Sequence, residues 1–260
     1  MRVLFLGEGS LNGPARYLAA ILKASGILFD HRPDRARIPK AWRRKSYQAF
    51  ILSDYRYASF TPCAREWMIG EVHNGAGLLM IGGWASFTGS VGGYAGTAIE
   101  KLLPVTCIRG DDRVQKATGA FLFPTNRFRK SSFPPVTGGE SIDPPSVTTG
   151  DDGSSIQPPI VCGYHRAKPK PGTKTTMIFR DITLNQDRIQ LGPPHPALVL
   201  GQAGLGRTAA FLTDCAPHWA GGLVDWGSRR IHICVGSDNV EVGNEYVRFF
   251  RQLLVWLSKK

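Results

Sequence analysis

Apolar residues along this chain fall in short, nearly unbroken runs separated by polar, glycine-rich turns. Arg2–Gly7 (RVLFLG) reads as a first strand, followed by the loop residues Glu8, Gly9 and Ser10 and then Asn12-Gly13-Pro14. Pro14 suits the opening turn of a helix over Ala15–Ala24, where Leu18, Ile21 and Leu22 recur at helical spacing and Gly26 provides the stop. Ile27-Leu28-Phe29 predicts a second strand and Tyr47–Ser53 a third. Thr61 then caps a helix with Pro62 at its first position, running to about His73 and closed by Asn74-Gly75. Leu78–Ile81 is the fourth strand, and Thr97–Leu103 a short helix before Pro104. Strands alternating with helices imply right-handed crossovers and a parallel sheet, and strands apolar throughout are covered on both faces. The expected fold is therefore α/β, three-layer and doubly wound, with a mostly parallel central sheet.

The pattern changes after Pro104. Val105–Ile108 reads as one more strand, but residues from about Thr125 to Pro159 are rich in Pro, Gly, Ser and Thr and poor in large apolar groups. A stretch that long without structure is unusual inside a compact domain. The expectation is a single domain over 1–260 carrying an irregular Pro/Gly-rich surface insertion over about 109–160. Short β-like runs return at Ile160–Arg166, Thr175–Phe179, Ala197–Leu200 and Arg207–Thr213. The chain closes on a helix over Asn244–Leu257, with Val247, Phe250, Leu253, Leu254 and Leu257 as its apolar stripe.

Composition narrows the function classes. No apolar run approaches the ~18 residues of a membrane span, so no membrane partner is expected. The opening MRVLFLGEGS lacks the features of an export signal. The five cysteines are odd in number and widely spaced, with no C-x-x-C pair, which argues against a disulfide framework or a zinc site and for a reduced, cytoplasmic setting. The net charge of +12 favours acidic partners. Its densest cluster, His31–Lys45, interleaves only Trp42 and matches no nucleic-acid-binding motif, so it reads as a solvated basic loop.

Candidate chemistry gathers at strand ends, because the carboxyl ends of parallel strands converge on one crevice. Glu8, Asp54 and Asp214 each follow a strand, and Gly82-Gly83-Trp84 follows the fourth. Carboxylates so placed can act as general acid and base, or simply cap loops. The segment Gly82–Thr97 holds six glycines, which permit close backbone approach, yet neither G-x-G-x-x-G nor a P-loop lysine is present. Ser86 is outside a G-x-S-x-G frame and so is disfavoured as a nucleophile. His218, in Asp214-Cys215-Ala216-Pro217-His218-Trp219, is either a base or a histidine bonded to backbone. Cys215 beside it is read as structural, and His195, between two prolines, as a turn residue. Histidines with ligand spacing are absent, so neither metal nor cofactor is expected. The expected ligand-contacting set is Glu8, Asp54, Tyr55, Arg56, Gly82, Gly83, Trp84, Ser86, Tyr94, His218 and Trp219.

Several segments together resemble the glutamine amidotransferase-like family of bacterial proteins: Gly83–Phe87, Gly92–Val105, Gly110–Arg113, Gly163–Arg166, Asp214–Trp219 and the closing helix with Trp256-Leu257. The resemblance spans nearly the whole chain. It implies a flavodoxin-like, class I amidotransferase-like fold. It also implies a Cys on the turn after the fourth strand, with a His and a Glu later. Here that turn carries Gly82-Gly83, His218 stands near the place of the late histidine, and Ala220 stands where the Glu would be. The expectation is an amidotransferase-like protein without glutaminase activity that binds a small polar or anionic ligand or serves as an assembly subunit. A hydrolase of different chemistry using Asp54, Asp214 and His218 is the alternative, and a basic nucleic-acid-associated protein the second. Homo-oligomerisation is a further expectation, on the argument that aromatic loops around Trp84 and Phe87 are partly exposed.

Overall fold

The computed structural model describes residues 1–125, 157–185 and 188–259. Five strands form the parallel half of the central sheet: β1 (Arg2–Gly7), β2 (Leu28–Arg32), β3 (Ala49–Ser53), β4 (Gly77–Ile81) and, from late in the chain, β11 (Gly206–Phe211). They lie in the order β2-β1-β3-β4-β11, all four pairings parallel. This is the 2-1-3-4-5 order of flavodoxin-like doubly wound sheets, in which strand order reverses between β1 and β3. The residues of β3 and β4 are buried throughout, as continuous apolar runs require.

Helix α1 (Ala15–Ala24) joins β1 to β2, and α2 (Pro62–His73) joins β3 to β4. The first connection steps to one side of β1 and the second to the other side of β3, so right-handed crossovers place the two helices on opposite faces. The closing helix α5 (Asn244–Leu257) packs beside α1 and buries Phe250, Leu253, Leu254 and Leu257. Thr61 caps α2, its Oγ1 accepting from the Ala64 amide at 3.3 Å, with Pro62 at the first position. A short helix α3 (Ala98–Leu102) precedes β5 (Val105–Cys107).

The rest of the sheet corrects the mostly parallel expectation. β6 (Arg113–Pro124), β7 (Ile160–His165), β9 (Lys174–Asn185) and β10 (Arg188–Ala203) extend it antiparallel beyond β11, in the order β11-β10-β9-β6-β7. The sheet is thus mixed, with four parallel and four antiparallel pairings. Residues 113–124 of the span read as an irregular insertion are a strand of this sheet, and 126–156 lie outside the described residues. β8 (Ala167–Pro169) pairs with β5 apart from the main sheet. A short helix α4 (Pro217–Val224) packs on β7, and a hairpin of β12 (Arg230–Val235) and β13 (Asp238–Gly243) packs against α1. His195 lies within β10, its ring stacked on Tyr164 at 5.9 Å, rather than in a turn. No helix among the described residues is long and apolar enough to cross a membrane.

Candidate functional site

β1, β3, β4 and β11 deliver their carboxyl ends to one crevice, which opens where strand order reverses. Glu8 and Asp54, the residues immediately after β1 and β3, both have left-handed backbones, with φ of 58° and 55°. Such strain in non-glycine residues is held in place by surrounding contacts and clusters at functional sites. Ser53 Oγ donates to Glu8 Oε1 at 2.6 Å, and Cys215 Sγ lies 3.6 Å from the same oxygen. Asp214 Oδ1 accepts from the amides of Cys215 at 2.6 Å and Ala216 at 3.0 Å, fixing the entry to α4.

Two buried acids and a half-buried third in one crevice cannot all ionise freely. Burial, reinforced by the charge of Asp54, pushes the Glu8 carboxyl up to about 7, against the opposing hydrogen bonds from Ser53, Asp214 and Cys215. Burial and then the Glu8 and Asp54 charges hold Asp214 well above the usual carboxylate range. Burial raises Asp54 as well, partly offset by the amides of Ala85 and Trp84. The Cys215 thiol is raised by burial and by both neighbouring acids, which keeps it a thiol rather than a nucleophilic thiolate.

A pH dependence of stability follows. Between pH 4.5 and about 7 the folded chain keeps a proton on Glu8 that the unfolded chain has released. Native-state proton binding therefore exceeds that of the unfolded state, and stability falls as pH rises, by about 1.4 kcal/mol per unit per proton at most. This contribution is fully present below pH 4.5 and lost on passing about 7. We predict that Glu8→Gln flattens this slope in urea denaturation at pH 5, 6, 7 and 8. A variant with the wild-type slope would show that Glu8 is not the titrating group.

The turn after β4 is closed to side chains. Gly83 has φ of 145°, and a Cβ there would lie 2.4 Å from Asp54 Oδ1 and 2.6 Å from Oδ2. A Cβ on Gly82 would meet His165 Cδ2 at 2.9 Å and the Thr213 carbonyl oxygen at 3.0 Å. The glycine-rich loop beyond is held by the chain's own carboxylates. Asp54 Oδ1 accepts from the Ala85 amide at 2.6 Å, and the Asp54 amide donates to Ser86 Oγ at 2.9 Å. Asp112 Oδ1 accepts from Gly89 at 2.7 Å and Oδ2 from Thr88 at 3.2 Å. His165, fully buried, bridges the two ends of the clamp: its Nδ1 is 2.9 Å from Asp112 Oδ1, and its Nε2 lies 2.8 Å from the Gly83 carbonyl oxygen and 3.1 Å from the Gly83 amide nitrogen. Asp112 and His165 come from the start of β6 and the end of β7, so the antiparallel half of the sheet braces the turn of the parallel half. Neither was among the candidate residues. The signal available was Val161, Gly163 and His165 on one face of a strand, a polar residue in an inward position.

Trp84 and His218 roof the crevice. Trp84 Nε1 donates to His218 Nε2 at 2.7 Å, and His218 Nδ1 lies 3.1 Å from Asp214 Oδ2. Accepting at Nε2 places the imidazole proton on Nδ1, toward Asp214. Burial lowers the His218 pKa, which agrees with a neutral ring. The Arg113 guanidinium sits 4.5 Å from the Trp84 ring centroid and is held by Asp111 through two hydrogen bonds of 2.8 and 2.6 Å. Beside His218 opens a cavity of about 220 Å³, bounded by Asn12, Pro14, Arg16, Tyr17 and Pro217.

The remaining sequence-predicted residues are engaged elsewhere. Tyr55 is buried, its hydroxyl donating to Ala36 O at 2.8 Å. Tyr94 is buried and donates to Tyr55 O. Arg56 approaches Asp34 at 3.9 Å rather than Asp54. Trp219 is buried against His165 and His218. Of the aromatics on which an association surface was expected, Trp84 is 44% exposed and Phe87 is fully buried. Glu8, Asp214 and Cys215 place donor atoms within 4.8 Å of one another, a set that could hold a cation. The hydrogen bonds and raised pKa values already described account for the same three groups by proton sharing.

A parallel strand-end crevice closed over by a glycine turn places the chain among doubly wound α/β domains. The chain belongs to the family described as Putative glutamine amidotransferase, which matches residues 44–233. Among solved structures it is similar to the cytoplasmic protein STM1381 from Salmonella typhimurium LT2, at 23% identity and a TM-score of 0.70 over 100% of both chains. The cytoplasmic protein STM3548 from Salmonella typhimurium gives the same identity, TM-score and coverage. At this identity the likeness establishes the fold. No curated protein matches the sequence.

Proposed function

We propose that this chain is a ligand-binding member of its family that does not hydrolyse glutamine. The observation that carries this reading is the filled turn after β4. The Asp54 carboxylate occupies the space of a side chain on Gly83, and His165 and Thr213 occupy that of one on Gly82. Thioester chemistry needs a thiolate within reach of an amide carbon, and Cys215 is fully buried and held protonated by its surroundings. What the crevice keeps is a mouth suited to a small polar or anionic molecule: half-exposed Trp84 and His218, the Arg113 guanidinium and the cavity beside Arg16 and Asn12. The five cysteines are all unpaired, which supports a cytoplasmic setting.

Purified protein incubated with glutamine should release no ammonia above the uncatalysed rate. Release that disappears in Cys215→Ser would overturn the reading. A thermal-shift screen of small carboxylates, phosphates and sugars should give hits that His218→Ala weakens at least tenfold in affinity.

A second reading has one observation in its favour. His218 pairs with a buried carboxyl at 3.1 Å and borders an open cavity, the arrangement of a general base and its orienting acid. In that reading Asp54, turned into the Gly83–Ala85 loop, takes no part in proton transfer. Turnover of any screened compound that fails in both His218→Ala and Asp214→Asn would favour it.

A further inference from the structure

The amides at the β4 turn point at a carboxylate, and that carboxylate belongs to the chain itself. Asp54 Oδ1 takes the Ala85 amide at 2.6 Å, and the Trp84 amide also favours its charged form. Its two oxygens lie over the bare Cα of Gly83, in volume that any other residue there would fill. Beside it stands a group of complementary charge, the Arg113 guanidinium, coupled electrostatically to Asp54. Glu8 and Asp214 stand behind it and oppose its charge, and Asp34 adds to that opposition.

The occupant is held at a cost. Its backbone is left-handed, with φ of 55°, a conformation uncommon outside glycine and found in asparagine and aspartate mostly at special positions. Its carboxylate is desolvated. The backbone, by contrast, is anchored independently, because the Asp54 amide donates to Ser86 Oγ. A side-chain rotation can therefore remove the carboxylate while strand β3 and the loop stay in place. Successive backbone N–H groups in such a turn form a concave anion site. Here the anion is supplied internally, beneath the half-exposed Trp84.

We infer that the β4 turn is a carboxylate-binding site and that Asp54 is its resident competitor, displaced when a carboxylate-bearing small molecule enters. The inference rests on the ligand-binding reading above and gives its chemical class. A ligand carboxylate would take the Ala85 and Trp84 amides and face Arg113, while the displaced Asp54 side chain swings toward solvent.

The test uses the full chain and formate or acetate as the probe, against chloride at equal ionic strength. Asp54→Gly removes the competitor and suits the left-handed backbone. Its melting temperature should rise saturably with formate, with an apparent affinity at least tenfold tighter than that of the wild type. Asp54→Asn, which keeps an oxygen on the amides, should respond no more than the wild type. A folded Asp54→Gly protein indifferent to formate and acetate would overturn the site. Equal affinity in Asp54→Gly and wild type would overturn the competition. Should Asp54→Gly fail to fold in chloride, its refolding yield with and without formate decides the matter in the same way. Ammonia release from glutamine is measured separately, so failure of the carboxylate site and failure of the nonhydrolytic reading give different results.

Discussion

His165→Ala is expected to lose about 3–5 kcal/mol of folding stability, the range for stripping the partner from a buried charged group. His165 is fully buried, and its Nδ1 meets Asp112 Oδ1 at 2.9 Å. Removing the ring leaves the buried Asp112 carboxylate with the Thr88 and Gly89 amides. It also removes the Nε2 contact with the Gly83 backbone and a ring packed 5.0 Å from Phe87 and 5.5 Å from Trp219. For a chain of this size the loss should lower the melting temperature by roughly 10 °C or more. The effect should also be local. Amide exchange should rise first at Gly83, Thr88 and Gly89, whose donors the clamp engages. A variant melting within about 2 °C of wild type, or one that loosens evenly, would mean that the clamp does not hold the turn. His165→Asn, which keeps a donor near Asp112, should recover part of the loss.

The same clamp shows why the sequence is only half transparent. The parallel half could be read because its inner strands β1, β3 and β4 are buried on both faces, and their apolar runs therefore stand out. Helix ends were equally plain, since Thr61-Pro62 and the α5 stripe are local signals. The antiparallel half hides for physical reasons. β6 carries a register shift between Gln115 and Ala120, which breaks its alternation. β10 runs through Pro193, Pro194 and Pro196, where register shifts on either side of Pro194–Pro196 accommodate residues that a regular ladder excludes. Prolines flanking His195 look like a turn until the bulges are seen. The β12–β13 hairpin turns at Gly236-Ser237 and alternates through Ile231, Ile233 and Val235. A search for continuous apolar runs passes over that alternating signal. In the crevice, Glu8, Asp54 and Asp214 were legible because each lies just beyond the apolar run of a strand. Asp112 and His165 were not, because their pairing joins residues 53 positions apart through a sheet whose second half had no predicted partners.

Gly83→Ala tests the claim on which the functional reading depends, and its expected cost is about 2–6 kcal/mol. Two terms contribute. A φ of 145° is essentially closed to residues with a Cβ and costs on the order of 1–3 kcal/mol. The new methyl group also lands 2.4 Å from Asp54 Oδ1 and must drive that carboxylate off the Ala85 amide, worth about 1–3 kcal/mol more. The terms separate in a double-mutant cycle. In an Asp54→Gly background the collision vanishes while the backbone strain remains, so Gly83→Ala should cost at least 1 kcal/mol less there than in the wild type. Additivity within about 0.5 kcal/mol would show that Asp54 does not occupy the side-chain space of the turn. The nonhydrolytic reading would then lose its steric argument and rest on the buried Cys215 alone. A coupled result would mean that a side chain at Gly83 and the Asp54 carboxylate compete for one volume. Gly83→Cys should then be tolerated only when Asp54 is also reduced to glycine. Urea denaturation of the four variants at one pH measures both expectations.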